Sequence, residues 1–403
     1  MSVGALYLHV PFCVRRCRYC DFATAATRRD DPVMREYVGA LERLAGEARE
    51  IGLLGGARTA YIGGGTPTLL GPDGISRLAR VARGAGELEE LSFEANPESL
   101  SDEALAAAAE AGATRVSIGV QSLNDAELKA IGRVHDAALA RGRVSAAVES
   151  GLHVSCDLMC GLPYQTAESW QASLDGALEL GVGHVSCYPL MIEEGTPLER
   201  MCKAGEMPWP SDDTEADDME AAERVLGAAG FSRYEVASYA RPGERCLHNI
   251  AYWTGVEYLG LGRAAASMLS RESYNALRSV VTALPELSED TERARLTIAS
   301  ATSEVAKARS LADLEFELEE LNAREAVAED LMLAARMSDG IPADLLARAN
   351  DTLGAARVSA CIDSLVNKGL LASAANGSYG PTHAGWLLGN ELYGPFWDLS
   401  YCD

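Results

Sequence analysis

Three cysteines near the start of the chain carry the strongest chemical signal. They stand in Cys13-Val14-Arg15-Arg16-Cys17-Arg18-Tyr19-Cys20, a Cys-x3-Cys-x2-Cys run directly after a short apolar stretch that reads as a strand. Three thiolates on one short loop can wrap a corner of a cubane [4Fe–4S] cluster, because soft sulfur prefers iron–sulfur centres to hard cations. Three ligands leave one iron open to chelate a further molecule. Zinc is the alternative occupant, and it takes four ligands, or three and a water. Two more segments suit a ligand beside such a centre. Gly63-Gly64-Gly65-Thr66-Pro67 lets bare backbone approach a ligand and adopt positive φ; alone, it could equally be a tight turn. Glu94, in Glu94-Ala95-Asn96-Pro97, could accept hydrogen bonds from ribose hydroxyls, as acidic residues do in nucleotide sites. Capping the next helix is its plainer role.

These segments need a frame that brings them to one place. Strand-like apolar runs occur at Leu6–Val10, Thr59–Ile62, Leu91–Glu94, Arg115–Val120, Val154–Met159 and His184–Leu190. Between them lie stretches of helical periodicity, among them Met34–Glu50, Asp102–Ala111 and Glu168–Leu180. Alternation of this kind builds a parallel sheet with helices outside, and its chemistry gathers where the strands end. Six units predict a partial (β/α)6 barrel. Residues 1–240 form this core by the pattern, and 241–322 form a sheet extension followed by a helical connector, with 283–325 read as helix. Residues 323–403 follow a helix, a turn at Asp339–Pro342, two helices and two short strands, a winged-helix-like order.

Composition narrows the function classes. The 403 residues include 48% apolar and 23% charged, ordinary for a globular chain with a sizeable core. Thirty-five basic residues against 59 acidic ones give −24, which leaves no basic footprint for general nucleic-acid binding. The segment 323–403 is itself acidic on balance, so it reads as a lid or docking module rather than a DNA reader. No apolar run is long enough for a membrane span, and MSVGALYLHVPFC lacks the layout of a signal peptide. Ten cysteines spread along the chain suit a reducing, cytoplasmic setting, where clustered thiols suggest metal.

With these motifs in view, the chain resembles the radical S-adenosylmethionine (SAM) superfamily, and within it the coproporphyrinogen-III-oxidase-like family. That family contains a decarboxylating branch (HemN) and a heme-chaperone branch (HemW). The stretches that carry the likeness are Leu6-Tyr-Leu-His-Val-Pro-Phe-Cys13, Gly63–Pro67, Glu94–Pro97, Ser117-Ile-Gly-Val-Gln-Ser122, Ile131-Gly-Arg-Val-His135, Asp157-Leu-Met-Cys-Gly-Leu-Pro163 and Glu194–Pro197. The resemblance implies a [4Fe–4S] cluster on Cys13, Cys17 and Cys20, with SAM chelated on the open iron and cleaved to a 5′-deoxyadenosyl radical or its equivalent. It implies that Tyr7, Gly64 and Glu94 touch this SAM, with Gly65 and Thr66 in the same loop, and that Gln121, Arg133 and Asp157 line the neighbouring substrate space.

Two features point to the chaperone branch. The decarboxylating branch has an additional cysteine two residues past the third ligand, where this chain has Phe22. The chaperone branch also carries His-Asn-x-x-Tyr-Trp, matched here by His248–Trp253. Imidazole is a common axial ligand of heme iron, and flanking aromatics can cover a porphyrin face, so His248 is expected on heme, with Arg263 near a propionate. A structural loop around a hydrogen-bonded histidine is the alternative. One departure stands out: where the family reads Pro-Gly-Ala-His-Ser, this chain reads Arg263-Ala264-Ala265-Ala266-Ser267. The expectation is therefore a cytoplasmic heme-binding protein that passes heme to an acceptor protein, with a homodimer allowed. The alternatives are radical SAM enzymes, either a coproporphyrinogen III dehydrogenase or a methyltransferase.

Overall fold

The computed structural model describes residues 2–401. Its centre is a mixed sheet of twelve strands. In chain order these are β1 (Ala5–Val10), β2 (Thr59–Gly64), β3 (Glu90–Ala95), β4 (Arg115–Gln121), β5 (His153–Cys160), β6 (His184–Pro189), β7 (Ser232–Arg233), β8 (Ser238–Ala240), β9 (Tyr258–Leu261), β10 (Ala266–Ser270), β11 (Thr291–Ile298) and β12 (Phe316–Asn322). Across the sheet they run β12-β11-β10-β9-β1-β2-β3-β4-β5-β6-β8-β7. Strands β1 to β6 pair in parallel, in sequence order, as a partial (β/α)6 barrel requires. β9 joins the far side of β1, also in parallel.

The local causes are plain. β1, β2 and β3 are nearly continuous buried runs, the mark of parallel strands covered on both faces. The crossover helix Pro32–Glu50 starts with Pro at its first position and the Asp31 side chain accepting from Val33 N–H at 3.0 Å. Ser101 caps Asp102–Glu110 in the same way, and Thr166 with Ser169 forms a reciprocal box at the head of Ala167–Glu179. One core runs from Val3 through all six barrel units to Leu314.

The region 283–325 departs from its expected helical form. It contains β11 and β12, antiparallel neighbours in register from Arg293 opposite Leu321 to Ile298 opposite Phe316. The segment Thr291–Ile298 alternates buried and accessible side chains, a period of two that follows the polar–apolar alternation of Arg293-Ala294-Arg295-Leu296-Thr297-Ile298. Arg295 faces Glu319 directly across the pair at 2.5 Å, so the charges that suggested a solvated helix instead bind two strands.

Beyond β12, Asn322 caps the helix Ala323–Ala334. The helices Ala343–Ala349 and Ala355–Asn367 follow, then a hairpin of Leu371–Ser373 with Tyr379–Pro381, then His383–Leu387 and Gly389–Asp398. This part has its own core around Leu331, Ile341, Leu365 and Phe396. Arg293 on β11 forms a two-pronged pair with Asp330, at 2.6 and 2.8 Å, that ties the first of these helices to the sheet.

Candidate iron–sulfur and SAM site

The three cysteines lie at the carboxyl end of β1, where a parallel sheet collects its chemistry. A short bridge pins the loop at its base: Phe12 and Cys13 pair with Ala25 and Ala26. Arg18 anchors the middle, its N–H reaching the Ile131 carbonyl at 2.9 Å and its guanidinium the Ala130 carbonyl at 2.9 Å. The Thr66 hydroxyl lies 3.6 Å from Cys13 Sγ, and the Arg133 guanidinium 3.5 Å from Cys17 Sγ. Burial pushes the Cys13 and Cys20 thiols up. Among the described residues no three His, Cys, Asp or Glu side chains close on a single point that would hold one metal ion. Thiolates on three separate irons of a cubane do not need to. Of the other cysteines, Cys156, Cys160, Cys187, Cys202 and Cys246 are buried and Cys361 is half-buried, while Cys402 lies outside the described residues.

The glycine loop closes over the cysteine loop. Gly65 N–H donates to the Val10 carbonyl at 2.8 Å, and a Cβ on Gly65 would stand 2.7 Å from the Phe12 carbonyl oxygen and 3.0 Å from Cys13 Sγ. Gly64 has φ +115°, and a Cβ there would meet the His9 ring at 2.5 Å. The bareness of Gly64 is thus demanded from inside the protein, whatever ligand lies beyond. Glu94 accepts from Gly64 N–H at 2.8 Å and from the Tyr61 hydroxyl at 3.1 Å. Burial, with Asp157 repulsion added, pushes the Glu94 carboxyl up to about 7 against the pull of those two donors.

Tyr7, Gly64 and Glu94 line one cavity of about 580 Å³, together with His9, Phe22 and Tyr252. The cavity continues over Met268 to Arg293, Arg295 and Glu329, so its far wall belongs to β11 and the helix Ala323–Ala334. Gln121, Arg133 and Asp157 do not line it. They form a buried polar group at the ends of β4 and β5. The Tyr188 hydroxyl donates to Gln121 Oε1 at 2.9 Å, and Ser117 and Ser155 donate to Asp157 at 2.9–3.1 Å. Arg133 donates to Asn96 Oδ1 at 2.7 Å and to the Gly119 carbonyl. Gln121 itself sits at φ +68°, a strained conformation for a residue with a side chain.

His248 is 1% exposed and faces inward. Its Nδ1 shares a hydrogen bond with Thr59 Oγ1 at 3.0 Å and its Nε2 one with the Tyr252 hydroxyl at 3.1 Å. Its ring stacks on Tyr61 at 5.2 Å, and Tyr61 stacks on Tyr7 at 6.3 Å. Burial lowers its pKa to about 4, so the ring is neutral. The helix that carries it, Leu247–Trp253, is capped by Glu90 of β3, which accepts from Leu247 N–H at 2.9 Å and His248 N–H at 3.1 Å. Arg115 pairs with Glu90 at 3.1 Å and donates to the carbonyls of Glu244 and Arg245. Glu90 and Arg115 escaped the sequence reading because each lies in an apolar strand with no motif around it. Arg263 is not at the cavity wall; its guanidinium turns to Thr302 Oγ1 at 3.4 Å.

The fold and the cysteine loop are those of a radical SAM protein. The family model for the radical SAM superfamily matches residues 7–176. The heme chaperone HemW of Mycobacterium tuberculosis is 39% identical over 270 residues, 64% of this chain and 68% of that one. HemW of Bacillus subtilis is 31% identical over 400 residues, 97% of this chain and 98% of that one. Among solved structures, Escherichia coli coproporphyrinogen III oxidase (HemN) superposes with a TM-score of 0.76 over 98% of this chain and 90% of that one. Its 21% identity speaks for the fold alone. The chain belongs to the HemN/HemW family of radical SAM proteins. No helix among the described residues is long and apolar enough to cross a membrane.

Proposed function

We propose that this protein is a radical SAM enzyme that holds a [4Fe–4S] cluster on Cys13, Cys17 and Cys20 and acts on a tetrapyrrole in the adjoining cavity. The observation that carries the reading is the meeting of the cysteine loop, the Gly64–Glu94 cradle and an apolar cavity at one end of the sheet. The residues present fit the cluster: the thiols share one pinned loop, and Gly65 leaves Cys13 room that a Cβ would fill. Such a cluster would supply an electron and an open iron for SAM. The chain's own groups do the rest. Arg133 places a buried cation beside Cys17, and Thr66 offers a hydroxyl to Cys13. Tyr7, Gly64 and Glu94 bind SAM, and Glu94 has lone pairs left for ribose hydroxyls beyond those used by Gly64 and Tyr61.

Heme delivery is the second reading, favoured by the curated HemW relatives. Phe22, 63% exposed at the cavity rim where the decarboxylating branch has a cysteine, speaks against coproporphyrinogen decarboxylation under either reading. Axial ligation by His248 would require one ring nitrogen to give up its partner, Tyr252 at Nε2 or Thr59 at Nδ1, in a ring that is 1% exposed. We assign it instead to support of the Tyr61–Tyr7 stack. The segments 1–240, 241–322 and 323–403 serve in this reading as core, extension and a winged-helix-like docking module. One anaerobically reconstituted sample decides between the readings. Reductive SAM cleavage stimulated by an added porphyrin, with no conversion of coproporphyrinogen III, supports the enzyme. Tight hemin binding followed by transfer to an apo-hemoprotein, with SAM left intact, supports the chaperone.

A further inference from the structure

The far wall of the cavity contains charges that a purely apolar ligand would not need. Arg293 and Arg295 stand two residues apart on β11 and so share one face of the sheet. Each meets a carboxylate of the helix Ala323–Ala334. Asp330 is fully engaged, by the two-pronged pair with Arg293 and by Arg348. Glu329 is not. One of its oxygens takes Arg295, and the other, Oε2, is buried with no hydrogen-bond partner, although the residue is only 7% exposed. Arg295 has a second carboxylate, Glu319, on its solvent side. A buried, half-satisfied carboxylate is the weak member of such a network, because an unpaired buried acceptor keeps its full desolvation penalty. Two other lining residues also hold buried polar atoms without partners, Trp253 Nε1 and His9 Nε2. An indole N–H can only donate. The cavity therefore offers apolar walls, an unused donor at Trp253, and two arginines at one end, one of them held by a poorly satisfied internal carboxylate.

We propose that Arg295, supported by Arg293, is the carboxylate anchor of the cavity's ligand, and that Glu329 is an internal stand-in which the ligand's carboxylate displaces. The ligand class is a flat apolar molecule with a peripheral carboxylate; the inference rests on the tetrapyrrole reading above and names how the tetrapyrrole is held. Glu329 sits on the first helix of the C-terminal segment, so displacing it also loosens one of the ties between that segment and the sheet while the Arg293–Asp330 tie remains.

The test uses metal-free protoporphyrin IX and its dimethyl ester, so that axial ligation plays no part. Binding to the full-length reconstituted protein is followed by tryptophan quenching in wild type, Arg295→Met and Glu329→Gln. We expect Arg295→Met to weaken the diacid about tenfold or more, as loss of a charge-assisted hydrogen bond should, and to leave the diester unchanged. Glu329→Gln should tighten the diacid severalfold and leave the diester unchanged, and this gain keeps the proposal testable if Arg295→Met fails to fold. Equal effects on diacid and diester, or no effect of Glu329→Gln, would overturn the anchor while the tetrapyrrole reading stands. If wild type binds neither porphyrin, both fall together.

Discussion

Glu94 shows how one side chain sets conditions for the whole site. Its carboxyl is pushed up to about 7, first by burial and then by Asp157, from an ordinary value of 4.5. A carboxyl raised in the folded state contributes stability at low pH that disappears as pH climbs through the folded value. The difference in stability between wild type and Glu94→Gln should therefore move against wild type between about pH 5 and pH 8, the window those values define. Denaturant midpoints across that range check this; a pH-independent difference would mean that Glu94 is ionised throughout. Ala264 offers a second test. It lies at φ +55°, a conformation that favours glycine, with its N–H on the Ile298 carbonyl at 2.9 Å. An L-residue there costs about 1–2 kcal/mol, part of which glycine loses again to unfolded-state entropy. Ala264→Gly should stabilise the protein by about 0.5–1 kcal/mol in chemical denaturation. At this scale the motif residues were legible because cysteines, glycines and an isolated carboxylate after strands mean few things. The hydrogen bonds that join Arg133, Gln121 and Asp157 to their neighbours are not legible in the sequence, since which way a strand-end side chain turns depends on residues far away along the chain.

Among the elements, the helix Leu247–Trp253 depends on a residue more than 150 positions earlier. Glu90 accepts from two of its first N–H groups, and the same carboxylate holds Arg115, which is 3% exposed. Glu90→Ala would uncap the helix and strand a buried guanidinium. The expected loss is about 3–5 kcal/mol, as for removal of one partner of a buried ion pair. Amide exchange at 247–250 should accelerate more than in the strands of the sheet; uniform acceleration would place the damage elsewhere. The barrel strands were readable to within a residue or two because burial on both faces leaves unbroken apolar runs. β11 and β12 were not. Polar and apolar residues do alternate there, in Arg293-Ala294-Arg295-Leu296-Thr297-Ile298 and Phe316-Glu317-Leu318-Glu319, but the acidic, Ala- and Leu-rich stretch around them reads as helix.

At the scale of the whole molecule, one continuous sheet joins the cysteine loop, the Gly64–Glu94 pair and the arginine wall, and the helix Ala323–Ala334 closes the cavity from the far side. The order of elements in 323–403 follows from sequence, because turns and amphipathic helices are local. Its placement over the cavity does not, because the ties at Arg293 and Arg295 reach it from the sheet, more than 30 positions earlier. Everything proposed for this assembly depends on a cluster at Cys13, Cys17 and Cys20. The most direct measurement is iron content, with the electron paramagnetic resonance spectrum of the reduced protein, after anaerobic reconstitution of wild type and a Cys13, Cys17, Cys20→Ala triple variant. Wild type should hold about four irons per chain and give a signal perturbed by added SAM; the variant should show neither. A triple variant that still gains about four irons, or a wild-type signal indifferent to SAM, would contradict this.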